Sequence, residues 1–199
     1  MTKFEKLTMV LRYFLLGKEW YRAVDALEYF GTIHTGVRKD KVTPEFQHQI
    51  EIAQYICTIL PGLMYPEDTI IAILGHDASE DYGTDHAYSS ARFGERAGHA
   101  MYLMDRTGKT EEQYYKGIGE NAVASIGKGG DRHHNIKTMP GVFSTEKQIR
   151  YAHDVRLHVL PMLKRARRNF PQQAFCYENI KHVLNVQLEL LDALNGQST

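Results

Sequence analysis

Pro66-Glu67-Asp68-Thr69-Ile70-Ile71-Ala72-Ile73-Leu74-Gly75-His76-Asp77-Ala78-Ser79-Glu80-Asp81 is the stretch whose reading decides the fold. By composition, its apolar run Ile70-Ile71-Ala72-Ile73-Leu74 suits a buried strand as well as a buried helix. The residues before it argue for a helix. Proline followed by two acids fits a first turn, where the missing N–H costs nothing and carboxylates meet the positive end of the dipole. The residues after it continue the helical period. His76 and Glu80 are spaced i, i+4, as are Asp77 and Asp81, so each pair is predicted to share a helix face. This cluster of imidazole and carboxylates can hold a cation and leave a carboxylate to act on water; the same residues also read as a polar helix end with an acidic turn.

Outward from this stretch the chain reads as helical almost throughout. Phe46, Ile50, Ala53, Cys57 and Leu60 line one helix face that Pro61-Gly62 ends. Phe93, Ala97, Ala100 or Met101, and Met104 mark another, closed by Gly108, and Tyr115, Ile118, Ala122 and Ile126 mark the next. Ser144 is a predicted N-cap for a helix that Pro161 should kink or break. Ile180, Leu184, Leu188 and Leu191 stripe a last long helix, and Tyr13–Leu16 belong to a first one ending near Gly17. Loops are expected at Arg38–Pro44, Tyr82–Tyr88 and Thr138–Phe143. With no repeat, low-complexity tract or linker, the expected architecture is all-α, a single helical-bundle domain over 1–199.

Composition narrows the function. Hydrophobic residues make up 43% of the 199, enough for a sizeable core. Lys plus Arg and Asp plus Glu balance at 24 each, so neither nucleic acid nor an acidic membrane is an expected partner. The two cysteines, Cys57 and Cys176, sit in apolar helical patterns and form no CxxC pair. The N-terminus does not resemble a signal peptide, and no apolar run approaches the roughly 20 residues that span a bilayer. The expectation is a soluble cytoplasmic protein.

Two further segments carry ligand-type groups: His34-Thr35-Gly36-Val37-Arg38-Lys39-Asp40 with His48 beyond it, and Lys128-Gly129-Gly130-Asp131-Arg132-His133-His134-Asn135. Asp131 and Asn135 are i, i+4, with Lys128 one turn earlier on the same side. His48, His76, Asp77 and Asp131 together offer two imidazoles and two carboxylates, a mixed set that suits Mn²⁺ better than a thiolate-rich structural zinc site. Metal-assisted hydrolysis of a phosphoester follows, with open coordination positions for water and a phosphate oxygen. His34, His133 and His134 are expected to pack or to orient neighbours rather than to bind the metal. Gly127-Lys128-Gly129-Gly130 lacks the spacing and hydroxyl of a P-loop. Lys164-Arg165-Ala166-Arg167-Arg168 reads as a solvated helix end.

The order His, His-Asp-x-x-Glu-Asp, Asp-x-x-x-Asn resembles the HD hydrolase domain of the RelA/SpoT family, whose members degrade the alarmone (p)ppGpp. His34-x-Gly-x-Arg38-Lys39, Phe93-Gly94, Asp131-Arg132-His133-His134-Asn135 and Lys147-Gln148-x-Arg150-Tyr151-Ala152 with Pro161 extend the likeness from about Ala26 to about Arg167. Little is left for a synthetase or regulatory domain, so the chain is similar to the family's small stand-alone hydrolases, including the metazoan SpoT homologues. The resemblance implies an HD-domain bundle in which His48, His76, Asp77 and Asp131 bind the metal and Glu80 and Asp81 are catalytic. It also implies that Arg38 and Lys39 bind substrate phosphates, with Asn135 and Tyr151 on the nucleoside, so that Arg38 and Lys39 grip one end of a nucleotide and Asn135 the other; Lys128 is a further candidate substrate-binding residue. The implied reaction removes the 3′-pyrophosphate of ppGpp or pppGpp. Alternatives are hydrolysis of another nucleotide, NADPH or a nucleotide 5′-phosphate, and non-catalytic nucleotide sensing. Where the family has Lys-Leu-Ala-Asp, this chain has Lys128-Gly129-Gly130-Asp131, and the glycines are expected to loosen the helix or enlarge the pocket.

Overall fold

The computed structural model describes residues 1–196, so the end of the expected domain, 197–199, lies outside the described residues. Ile70–Leu74 is helical, and every residue from Asp68 to Gly75 is buried, which explains why the sequence there shows no polar face. This helix, α4 (Pro66–Gly75), has Pro66 and two acids in its first turn. It packs on α2 (Tyr21–Ile33), α3 (Gln47–Cys57), α7 (Glu95–Met104) and α9 (Ala122–Thr138). The only charged side chain of α4 that is buried, Asp68, is held between Arg22 at 2.9 Å and Arg96 at 2.8 Å.

The other central helix is α9, buried without interruption from Ala122 to Asp131. It contacts α3, α4 and α7 on one side, and α8 (Glu111–Gly119), α11 (Leu160–Asn169) and α12 (Ala174–Leu194) on the other. The bundle is completed by α1 (Lys3–Gly17), α5 (Ala78–Tyr82), α6 (His86–Phe93) and α10 (Thr145–Asp154). One core runs from Leu11 and Leu15 of α1 to Leu188 and Leu191 of α12. Among the described residues there is no strand, only an isolated bridge between Val37 and Pro44. None of the described helices is long and apolar enough to cross a membrane.

Several expectations are corrected. The Phe93–Met104 pattern spans two helices, because Gly94 at φ 95° separates α6, which ends at Phe93, from α7, which begins at Glu95. The His-Asp stretch is not one continuous helix: α4 ends at Gly75 and α5 begins at Ala78, leaving His76 and Asp77 at the junction. The Tyr115–Ile126 pattern spans two helices, because the Asn121 side chain accepts from Val123 and Ala124 N–H and starts α9 afresh. The loop expected over Tyr82–Tyr88 is shorter, since Asp85 caps α6 from Ala87 N–H. Gly129 and Gly130 neither loosen α9 nor border the cavity. A Cβ on Gly129 would lie 2.8 Å from Ile180 Cγ2, and one on Gly130 would lie 2.9 Å from Ile52 Cγ2. They let α12 and α3 approach α9 closely, and that close packing offsets the propensity cost. Ser144 does cap α10. At Pro161 the chain neither stops nor kinks into a loop; a π turn over Val155–Val159 widens the helix just before the ring.

Candidate metal centre and its cavity

The breaks and caps around α4 and α9 bring three separated residues together. His48 enters from the first turn of α3, His76 from the end of α4, and Asp131 from the middle of α9. Their ligand atoms all lie within 4.8 Å of one another, and all three residues are buried. His48 Nε2 is 3.3 Å and His76 Nε2 3.9 Å from the same oxygen, Asp131 Oδ1. Asp77 flanks this group, its Oδ2 3.1 Å from His76 Nε2 and its side chain 33% exposed. Gln49 donates to that carboxylate at 3.4 Å. The group of three can hold a metal ion.

The donor set fits a cation because of where the protons must be. His76 Nδ1 is 2.8 Å from the Ile73 carbonyl, which can only accept, so Nδ1 carries the hydrogen. The lone pair of a neutral His76 is therefore on Nε2, which is buried, has no aligned hydrogen-bond partner, and faces two carboxylates. Such an arrangement calls for a proton or a metal between the groups. Burial opposes protonation, but Asp77 and Asp131 prevail and push His76 up to about 9. Burial likewise opposes charge on Asp131, yet the Lys128 ammonium holds it well below the usual carboxylate range. Burial lowers His48, and it lowers His134 to about 3 with the help of the neighbouring His48.

The centre forms the floor of an open cavity of about 950 Å³, lined among others by Arg38, Lys39, Glu80, Asp81, Asn135 and Tyr151. The sequence-predicted residues are therefore gathered in one place. Glu80 and Asp81 are exposed on the wall and are not a buried pair. Glu80 Oε2 accepts from Arg106 N–H at 3.3 Å. Burial and the nearby Asp77 raise Asp81. Asn135 donates to Asp131 Oδ1 at 2.6 Å and accepts from Arg38 Nη2 at 3.1 Å. Arg38 and Asn135 are therefore hydrogen-bonded neighbours, which corrects the expectation that they stand at opposite ends of a ligand. Lys128 is buried and donates to Asp131 Oδ2 at 2.9 Å, so its ammonium is committed to that carboxylate. Tyr151 accepts from Arg132 Nη1 at 2.6 Å.

His34 packs beside the cavity as expected, stacked on Phe46 at 5.5 Å with Nδ1 on the Phe30 carbonyl. Sequence reading missed Glu51. It accepts from His134 Nε2 at 3.1 Å, from Lys3 and Gln47 at 2.8 and 2.7 Å, and from Lys137 at 3.0 Å. The available signal was a matched spacing: His48 and Glu51 are i, i+3 on α3, as Asp131 and His134 are on α9. A second group of potential ligands, Glu111, Asp154 and His158, is not buried, and its imidazole already faces Glu111 at 3.2 Å. No family model matches the chain, and no curated protein matches it.

Proposed function

We propose that the chain is a divalent-metal-dependent phosphohydrolase acting on a nucleotide, with Mn²⁺ as the metal. The observation that carries this reading is the pair of imidazole Nε2 atoms aimed at one oxygen of Asp131, on the floor of a cavity walled by cations and additional carboxylates. Imidazole and carboxylate donors without thiolates suit Mn²⁺. His48, His76 and Asp131 would hold the ion, with Asp77 as a fourth ligand from the rim. A bound divalent cation supplies Lewis-acid polarisation of a phosphoryl oxygen and activation of water near neutral pH.

The protein's own groups supply the rest. Asp81, raised by partial desolvation against the cavity wall and by the carboxylate of Asp77, is suited to accept a proton from the attacking water, with Glu80 beside it orienting the same water. Arg38 and Lys39 bind the phosphoryl oxygens, Arg38 in a bidentate fork and Lys39 as a point charge. To do so, Arg38 exchanges its bond to Asn135 for one to the ligand. Asn135 and Tyr151 then meet the adjoining nucleoside. Lys128 acts through Asp131 by keeping it ionised and oriented.

The substrate proposed is ppGpp or pppGpp, cleaved to GDP or GTP and pyrophosphate, and this assignment rests on the sequence resemblance. The test is incubation of the purified chain with Mn²⁺ and ppGpp, followed by quantitation of GDP and pyrophosphate. Release of both is expected. Turnover of NADPH or a nucleotide 5′-phosphate without turnover of ppGpp would refute the alarmone assignment alone. Metal-dependent nucleotide binding with no turnover of any would favour a sensor, a reading that the exposure of Glu80 and Asp81 leaves open.

A further inference from the structure

Behind the metal centre lies a chain of buried polar groups that the reaction does not itself require. His48 Nδ1 and His134 Nδ1 are 2.8 Å apart, and His134 Nε2 is 3.1 Å from Glu51 Oε2. His48 and His134 are 3% and 4% exposed, so water does not substitute for these partners. We propose that Glu51 and His134 are positioning residues that lock the tautomer of His48, presenting its Nε2 lone pair to a cation.

The assignment follows from counting protons along the chain. Glu51 faces donors on every side, from Lys3, Gln47 and Lys137 as well as His134, and has only acceptor capacity. His134 must then carry its hydrogen on Nε2. A neutral imidazole with its hydrogen on Nε2, facing Glu51, presents a lone pair at Nδ1. Two facing Nδ1 atoms at 2.8 Å need one hydrogen between them, and it belongs to His48. His48 Nε2 is left bare, 3.3 Å from Asp131 Oδ1. The opposite tautomer would donate Nε2–H to Asp131 and close the site to a metal. His76 is fixed in the same sense by the Ile73 carbonyl. The ring of each imidazole is thus oriented by a hydrogen bond on its far side, so that Nε2 is the atom offered to a cation once it is deprotonated.

The inference rests on the metal-centre reading, and the test separates the two. Long-range ¹H–¹⁵N NMR of the metal-free chain should show His48 protonated on Nδ1 and His134 on Nε2. Calorimetric titration with Mn²⁺ alone should show His134→Ala binding about 10- to 100-fold more weakly than wild type. His134→Asn, whose amide oxygen can accept from His48 Nδ1–H, should recover part of that loss. A purely packing role for His134 would lower thermal stability equally in Ala and Asn variants and leave the tautomer of His48 unchanged. His48 protonated on Nε2 in the wild type would overturn the proposal, whether or not the variants fold. So would a folded His134→Ala whose Mn²⁺ affinity equals that of wild type. A wild-type chain that binds no Mn²⁺ would refute the metal reading itself.

Discussion

Lys128→Met is predicted to destabilise the metal-free protein far more than the metal-loaded one. Lys128 Nζ lies 2.9 Å from Asp131 Oδ2, and the two side chains are 10% and 7% exposed. Methionine keeps the length and apolar stem but leaves the Asp131 carboxylate buried without its counter-charge. Breaking a buried pair from one side costs about 3–5 kcal/mol. For a chain of this size, where each kcal/mol moves Tm by about 2–4 °C, the expected fall is about 6–20 °C in chelator. Saturating Mn²⁺ restores a positive charge beside Asp131 and should recover more than half of the loss. Thermal unfolding followed by circular dichroism, with EDTA and then with Mn²⁺, measures both. A fall below about 2 °C in EDTA would show that the pair contributes little. Equal falls in both conditions would show that no cation reaches Asp131. The first result refutes the placement of Lys128 as the partner of this carboxylate, and the second refutes a metal ion at Asp131.

Other predictions test separate parts of the account. Glu80→Gln and Asp81→Asn should each lower turnover about 10²-fold or more while leaving Mn²⁺ stoichiometry unchanged; unaltered rates in both would require a different base. Gly130→Ala should lower Tm without changing Mn²⁺ affinity. Its Cβ would press on the stiff β-branched Ile52, an overpacking cost of about 1–3 kcal/mol set against a helix gain of about 1 kcal/mol. Asp105→Asn should remove part of the protein's acid sensitivity. Burial raises Asp105, but hydrogen bonds from Thr107, Ser79 and His86 prevail and bring it to about 2. A carboxyl depressed in the folded state stabilises above its unfolded value near 3.8, and that stability is lost as pH falls through about 2. Urea midpoints at pH 7 and pH 3 should therefore draw closer in the variant than in wild type, and an unchanged difference would argue against this role.

Much of the fold was legible because the chain's periodicity is helical wherever a face meets solvent. Where it is not, at Ile70–Leu74, the Pro-Glu-Asp start identified the helix. Caps at Ser144 and the glycine closing α1 were read from local chemistry. The breaks were not legible where apolar periodicity runs straight through a turn, at Gly75–Ala78, at Gly94 and at Glu120–Asn121. There the deciding terms are a side-chain cap and tertiary packing, which a periodic pattern does not report. That His48, His76 and Asp131 form a group able to hold a metal ion was legible from residue type and order. The supporting contacts were not. Lys128 and Asn135 turn towards Asp131, and Arg38 towards Asn135, because these groups are short of partners inside the cavity. Glu51 and His134 meet only because α3 packs across α9. Such cross-helix pairs join residues far apart in sequence, and their chemistry appears only once the helices are packed.

The central claim is that His48, His76 and Asp131 form one metal site. The most direct measurement is Mn²⁺ stoichiometry by equilibrium dialysis and elemental analysis on wild type, His48→Ala, His76→Ala and Asp131→Ala, with circular dichroism to verify folding. The account predicts one ion per wild-type chain and loss of that ion in each folded variant. An unbound wild type, or full occupancy in both His48→Ala and Asp131→Ala, would contradict it.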